Sequence, residues 1–297
     1  MTSTTSVPLN LPIVSWVEAS KADPVAHRNR QVTHILLSAV GLTPALRDTM
    51  LLKGGVLMML AFASPRGTQD VDFTVEASPE PFATELAERL NPALRSAAAT
   101  LGYADLLCRI QKVERRPRAE MFEDGIGPAL KITIAHARIG TNEVKRLEAG
   151  QATGVLQVDL SFKEPIFNAG EAQLEKPAVN IRTYALEEVV AEKFRALLQQ
   201  PERNRERRQD VFDLAWLARM TADTLSDQER QNILGALIQK SAARGINPTA
   251  ASMDDPEVAR RAATRWNTLS TELPSGLPPF NETFEIARAF YRSLPWL

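Results

Sequence analysis

Between Lys53 and Phe73 the chain carries a pattern that few folds accommodate. Lys53-Gly54-Gly55 leads into the apolar run Val56-Leu57-Met58-Met59-Leu60-Ala61-Phe62, then a basic turn at Arg66-Gly67-Thr68, then Asp70-Val71-Asp72-Phe73. The apolar run predicts a helix and the alternating tetrapeptide a strand. Strand side chains alternate between faces, so Asp70 and Asp72 share one face while Val71 and Phe73 enter the core. Two carboxylates one strand step apart repel each other unless a cation lies near them. Hard oxygen ligands of this kind favour Mg²⁺ or Mn²⁺. The glycines permit a turn that no side chain obstructs, so that backbone N–H groups can approach phosphate oxygens. Asp-x-Asp alone is common and Gly-Gly commoner; their order, within one helix length, narrows the choice. A phosphate cradle followed by metal-binding carboxylates suits phosphoryl or nucleotidyl transfer.

At 297 residues the chain can form one large domain or two smaller packed lobes. Its 44% hydrophobic and 24% charged residues are ordinary for a soluble globular protein. The net charge of −1 excludes a general attraction to polyanions, so any nucleic acid must be held by a local basic patch. Cys108 is the single cysteine, which excludes an internal disulfide framework and suits a reducing compartment. His27, His34 and His136 form no zinc spacing with it, and His27 and His34 are expected on helix surfaces. No apolar run reaches membrane-span length, and Met1-Thr2-Ser3-Thr4-Thr5-Ser6 lacks the charged and apolar regions of a signal peptide. A cytoplasmic protein is expected.

Residues 1 to about 12 read as a mobile tail. Helices are expected from Trp16 to Val40, interrupted near Asp23-Pro24, and again from Thr43-Pro44 toward Met50, where the helix hands over to the Gly-Gly turn. Ser78-Pro79 opens a helix running to Leu101, with Ser78 as its cap. Strands are expected over Leu106–Val113, Leu130–Ala135 and Val155–Phe162, with Arg115-Arg116-Pro117-Arg118 as a basic turn. Asp159 interrupts the last of these strands and is either a site residue or a strand-end carboxylate in solvent. From Leu186 onward the chain reads as helical, with apolar residues 186, 190, 194 and 197 on one face and Glu192 and Lys193 off it. An arginine-rich stretch, Glu202 to Arg208, precedes Asp210 and Asp213, which share a helical face. Further helices are expected at about 227–244, 256–270 and 281–293, with no chemistry of their own.

The Lys-Gly-Gly…Arg-x-Thr-x-Asp-Val-Asp-Phe segment resembles the first motif of the DNA-polymerase-β-like nucleotidyltransferases, and more closely the AbiEii/AbiGii group, with its MenA-type toxins. Where the superfamily usually has Gly-Ser this chain has Gly54-Gly55, so only backbone donors remain there. The group's Ala-Glu-Lys-x-x-Ala-Leu helix and following Asp-x-x-Asp-Leu match Ala191–Leu197 and Asp210–Leu214. Gln209 stands where relatives often carry a basic residue, which leaves the orientation of Asp210 open. The resemblance covers about residues 50 to 217.

What the resemblance implies is specific. The fold would be α/β (α+β), a nucleotidyltransferase lobe with a small mixed sheet and N-terminal helices over residues 1–184, and a helical C-terminal lobe over 185–297 facing it across a cleft. Asp70, Asp72 and Asp159 would hold Mg²⁺ or Mn²⁺; these three with Lys193 and Asp210 would form the catalytic set. Lys53, Gly54, Gly55, Arg66, Thr68 and Lys193 would contact the nucleoside triphosphate, Arg66 either holding phosphate or bracing its loop. Asp210 would be active-site wall or base and Asp213 a helix anchor. The implied acceptor is the 3′ end of tRNA, with translation stopped as a result and an antitoxin encoded nearby. Arg205, Arg207 and Arg208, with Arg195, Arg203 and the Arg115–Arg118 turn, could supply RNA phosphate contacts. A small-molecule nucleotidyltransferase of the aminoglycoside-modifying kind, transfer to a protein, and a non-catalytic nucleotide- or partner-binding protein stay open as alternatives.

Overall fold

The computed structural model describes residues 9–296. The chain folds as two compact units: residues up to Ala61 with Gln69–Glu164 and Gly170–Thr183 form the first, and Phe62–Thr68, Pro165–Ala169 and the chain from Tyr184 onward form the second. No helix among the described residues is long and apolar enough to cross a membrane.

In the first unit the elements run β1 (Leu9–Leu11), α1 (Ile13–Glu18), α2 (Pro24–Leu42), α3 (Pro44–Arg47), β2 (Met50–Lys53), α4 (Gly54–Ala61) and β3 (Asp70–Val75). They continue as α5 (Pro79–Thr100), β4 (Leu106–Arg116), β5 (Ala129–Arg138), α6 (Glu143–Glu148), β6 (Val155–Phe162), β7 (Ala169–Leu174) and β8 (Val179–Tyr184). The eight strands form one mixed sheet in the order β1-β7-β8-β2-β3-β6-β5-β4. β3 lies between antiparallel β2 and parallel β6, and β6 pairs antiparallel with β5. Period-two alternation gives the sheet an apolar face, where Val71, Phe73, Val158, Leu160, Ile132 and Ile134 are fully buried. Phe162 closes that face, meeting Phe82 and Phe122 edge-on with ring centroids 5.6 and 5.8 Å away.

Several expectations are corrected here. Residues 1–8 of the expected tail lie outside the described residues, and Leu9–Leu11 form a strand parallel to β7. The helix beginning at Pro44 stops at Arg47, and Met50–Lys53 is a strand. Its three apolar residues are buried on both faces, so no alternation betrays it. With β1, β7 and β8, which lacked a strand signal, β2 makes the sheet larger than the small one expected. Ser78 makes no side-chain cap to α5, although Pro79 occupies its first turn. Asp23 does cap α2, accepting from the N–H groups of Val25 and Ala26 at 3.0 and 3.1 Å. His34 is buried rather than on a surface, bonded to the Lys176 carbonyl and the Tyr103 hydroxyl, and burial pulls its pKa down.

The second unit is helical: α7 (Leu186–Leu198), α8 (Gln200–Arg203), α9 (Arg208–Thr221), α10 (Asp227–Ala242), α11 (Pro256–Ala263) and α12 (Phe280–Arg292). Phe194 of α7 sits at its centre, with Phe290 and Tyr291 of α12 edge-on at 5.8 and 5.0 Å. The segment Phe62–Thr68 is a non-helical strap of this unit. The Trp216 indole donates to the Phe62 carbonyl at 2.8 Å, and the Gly67 N–H to the Glu272 carbonyl at 2.7 Å.

Candidate active site

Strand register assembles the first part of the site. Lys53 pairs with Asp72, Asp72 with Asp159, and Asp159 with Lys131, so four charged side chains stand in one row across β2, β3, β6 and β5. Asp70 lies one strand step along on the same polar face, opposite Gln157. Alternation placed Asp70 and Asp72 on one face and the resemblance added Asp159; the strand register puts Asp159 directly beside Asp72 on that face. Burial and the Asp159 charge push the Asp70 carboxyl above its ordinary range, while Lys131 pulls it back. Asp70 and Asp159 therefore repel each other, and Lys131 offsets this only in part.

Gly54 shows why this position excludes a side chain. Its φ is +72°, and a Cβ there would lie 2.0 Å from Asp72 Oδ2. The backbone at the start of α4 thus runs against the Asp72 carboxylate, and the turn that the glycines make is what gives that carboxylate its place. Gly55 follows, buried in the first helical turn, whose N–H groups have no intrahelical acceptor.

Lys53, expected on the nucleotide, donates to Ser161 Oγ at 2.6 Å and forms an ion pair with Glu164. Glu164 also accepts from Thr74 at 2.8 Å. Reading the sequence missed Glu164 as a partner, and no local pattern points to it, since it follows the end of β6. Oxygen-only donors on neighbouring strands fit a hard divalent cation. Among the described residues no three His, Cys, Asp or Glu side chains close around a common point, so the carboxylates form an open face rather than a finished cage.

The second unit holds the other expected residues. Lys193 is buried, not off the packed face of α7 as expected, and donates to Asp213 Oδ2 at 2.7 Å and Asp210 Oδ1 at 3.1 Å. Two of its three donors are thus committed to carboxylates. Asp213 is fully buried and takes a second cation, Arg66, through two parallel bonds of 2.9 Å. Arg66 reaches Glu272 Oε2 at 2.9 Å as well, so of its two expected roles the bracing one is what these contacts show. Gln209, the departure noted in the motif, donates to the same Glu272 at 3.2 Å. Thr68 ends the strap, half-buried.

The electrostatics of this cluster close on themselves. Burial alone would raise Asp213, but Lys193 and then Arg66 outweigh it and hold the carboxyl below its usual range. Burial likewise works against the charge on Lys193, and Asp213 with Asp210 overcomes it and raises the pKa.

The arginines expected on RNA divide. Arg203, Arg205 and Arg207 are exposed around the α8–α9 connection, and Arg208 is half-buried. Arg207 approaches Asp210 at 4.0 Å. Arg195 is buried and bonded to Glu192 and Gln199, and Arg115 makes a two-bond pair with Glu80, so neither is a ready phosphate contact. Arg115 and Arg116 continue β4 instead of forming a turn.

A family model described as "Nucleotidyl transferase AbiEii toxin, Type IV TA system" matches residues 35–289. No curated protein matches the chain in sequence. Among solved structures, JHP933 from Helicobacter pylori superimposes with a TM-score of 0.49 at 15% identity, covering 89% of this chain and 91% of that one. The nucleotidyltransferase toxin MenT4 from Mycobacterium tuberculosis gives a TM-score of 0.47 at 13% identity, covering 96% of this chain and 100% of that one.

Proposed function

The chain belongs to the AbiEii nucleotidyltransferase toxin family of type IV toxin–antitoxin systems, and from that premise we propose a Mg²⁺- or Mn²⁺-dependent enzyme that moves a nucleoside monophosphate from a nucleoside triphosphate to the 3′ end of tRNA and so stops translation. The observation that carries this is the in-register Asp72–Asp159 pair, with Asp70 beside it and Gly54 leaving room for the Asp72 carboxylate.

In this reading Asp70, Asp72 and Asp159 would hold the divalent cation, which neutralises charge on the triphosphate when bound. The first-turn N–H groups at Gly54 and Gly55 orient phosphate oxygens. Asp159 takes the proton from the acceptor hydroxyl as its oxygen bonds to the α-phosphorus; the bond from that phosphorus to the β-phosphate oxygen breaks and pyrophosphate leaves. The resemblance assigns Asp210 to the wall of such a site, and Arg205, Arg207 and Arg208 would contribute charge for RNA backbone phosphates. An antitoxin encoded beside the gene restrains the activity, as membership of a type IV system implies.

The test is incubation of the purified protein with each α-labelled nucleoside triphosphate, Mg²⁺ and total tRNA, with Asp72→Asn as control. Label on RNA that the control lacks supports the reading and names the nucleotide. Triphosphate binding without label on RNA would remove tRNA as acceptor.

A further inference from the structure

We propose that Lys131 is a further substrate-binding residue, its ammonium receiving the polyphosphate of the nucleoside triphosphate. The inference deepens the nucleotidyltransferase reading and rests on it.

Three lysines come into question as phosphate ligands, and the structure treats them differently. Lys53 is engaged by Ser161 and Glu164. Lys193 is buried between Asp210 and Asp213. Lys131 stands in the charged row itself, directly opposite Asp159, and is half-buried. Its neighbour on the other side, Glu114, is taken by Lys112 and by Arg116, the latter at 3.5 Å. Among the described residues no carboxylate lies within 4.0 Å of Lys131 Nζ.

A half-buried ammonium kept short of ion-pair distance from the carboxylates in its own row is a poor structural brace. It is a good point charge for an anion that arrives later, since Lys presents three rotatable donors on a flexible stem. The flanking residues support this use of the position. Leu130 and Ile132 point to the apolar face and fix the strand, so the Lys131 stem is carried by a rigid element. The charge is felt at the carboxylates, because Lys131 acts on the Asp70 carboxyl.

The competing role is simple screening of the three aspartates, and the experiment separates the two. Calorimetric titrations of wild type, Lys131→Gln and Lys131→Arg would use the four nucleoside triphosphates in Ca²⁺, the matching monophosphates, and Mn²⁺ alone. Loss of one charge-assisted contact predicts triphosphate binding weakened about tenfold or more in Lys131→Gln and restored in Lys131→Arg. Monophosphate affinity should change little, and Mn²⁺ alone should bind equally or more tightly, since a nearby positive charge is gone. Equal triphosphate binding by Lys131→Gln and wild type would overturn the proposal, as would an equal loss for mono- and triphosphate. Weaker Mn²⁺ binding in Lys131→Gln would also overturn it, because the side chain would then be shaping the carboxylates. Absence of triphosphate binding by wild type would sink the underlying reading as well, an outcome distinct from the others. If Lys131→Gln melts far below wild type, Lys131→Met, which keeps most of the stem, takes its place.

Discussion

The molecule holds two clusters made of the same residue types, arranged to opposite ends. On the sheet face of the first unit, Asp70, Asp72 and Asp159 crowd together, and Lys131 at one end of the row compensates Asp70 only in part. In the second unit, Asp213 is fully buried and receives both Lys193 and Arg66, while Asp210 and Glu272 complete the cluster. The first arrangement holds like charges close together, a repulsion that a bound cation would relieve. In the second, the Lys193–Arg66 repulsion is outweighed by the carboxylates around them, and removing one partner would leave a buried charge uncompensated. The same residue types thus reach opposite electrostatic states according to how closely cations approach the carboxylates.

Breaking each cluster should separate the two roles. Asp72→Asn is expected to lower transfer activity on the order of 10²–10³-fold with the protein still folded, measured by labelled transfer and thermal unfolding. Asp213→Ala leaves Arg66 and Lys193 buried without their shared anion and should cost about 3–5 kcal/mol of stability in denaturant titration. A stable Asp213→Ala protein would erase the distinction drawn above. Gly54→Ala places a side chain at positive φ against Asp72. It should cost about 1–3 kcal/mol and reduce activity through displacement of that carboxylate, which a denaturation curve and an assay on one preparation would show.

Acid sharpens the comparison, because the two aspartates titrate with opposite consequences. Asp70 has a raised pKa in the folded protein, so it adds stability as pH falls through that value, and its charged form costs stability above it. Asp213 has a lowered pKa, so its contribution is present above the unfolded value of 3.8 and disappears as pH falls through the folded one. Asp70→Asn should accordingly raise stability at neutral pH, and Asp213→Asn should lower it. The background to this titration is His136, in neither cluster, whose buried ring has no hydrogen-bond partner among the described residues and whose pKa is lowered to about 4. It is neutral when folded, so stability should fall as pH drops from 6.5 toward 4, by about 3 kcal/mol at most. His136→Leu should flatten that slope in denaturation curves at stepped pH.

The first cluster was far more legible in the sequence than the second. Asp70-Val71-Asp72-Phe73 and Val155–Phe162 alternate strictly, and strict alternation by itself says which residues share a face. β2 was illegible because an apolar run buried on both faces looks the same as the end of a helix. β7 and β8 hid because each is only six residues long and mixes polar residues with few large apolar ones. Lys193 was placed on the wrong side of its helix for a different reason. The partners that make its burial tolerable, Asp210 and Asp213, are 17 and 20 residues away, beyond the reach of helical periodicity. The roles of Lys131 and Glu164 depend on strand register, which no local pattern contains.

The strap Phe62–Thr68 has a consequence for how such a gene can change. The chain alternates between its two units in six segments, and so crosses from one to the other five times. Recombination therefore has no single joint at which to exchange one lobe for that of a relative, and a truncation near residue 184 would leave Arg66 behind, severed from Asp213 and Glu272. Inheritance of the two lobes is tied together, and sequence drift in the strap is answerable to both.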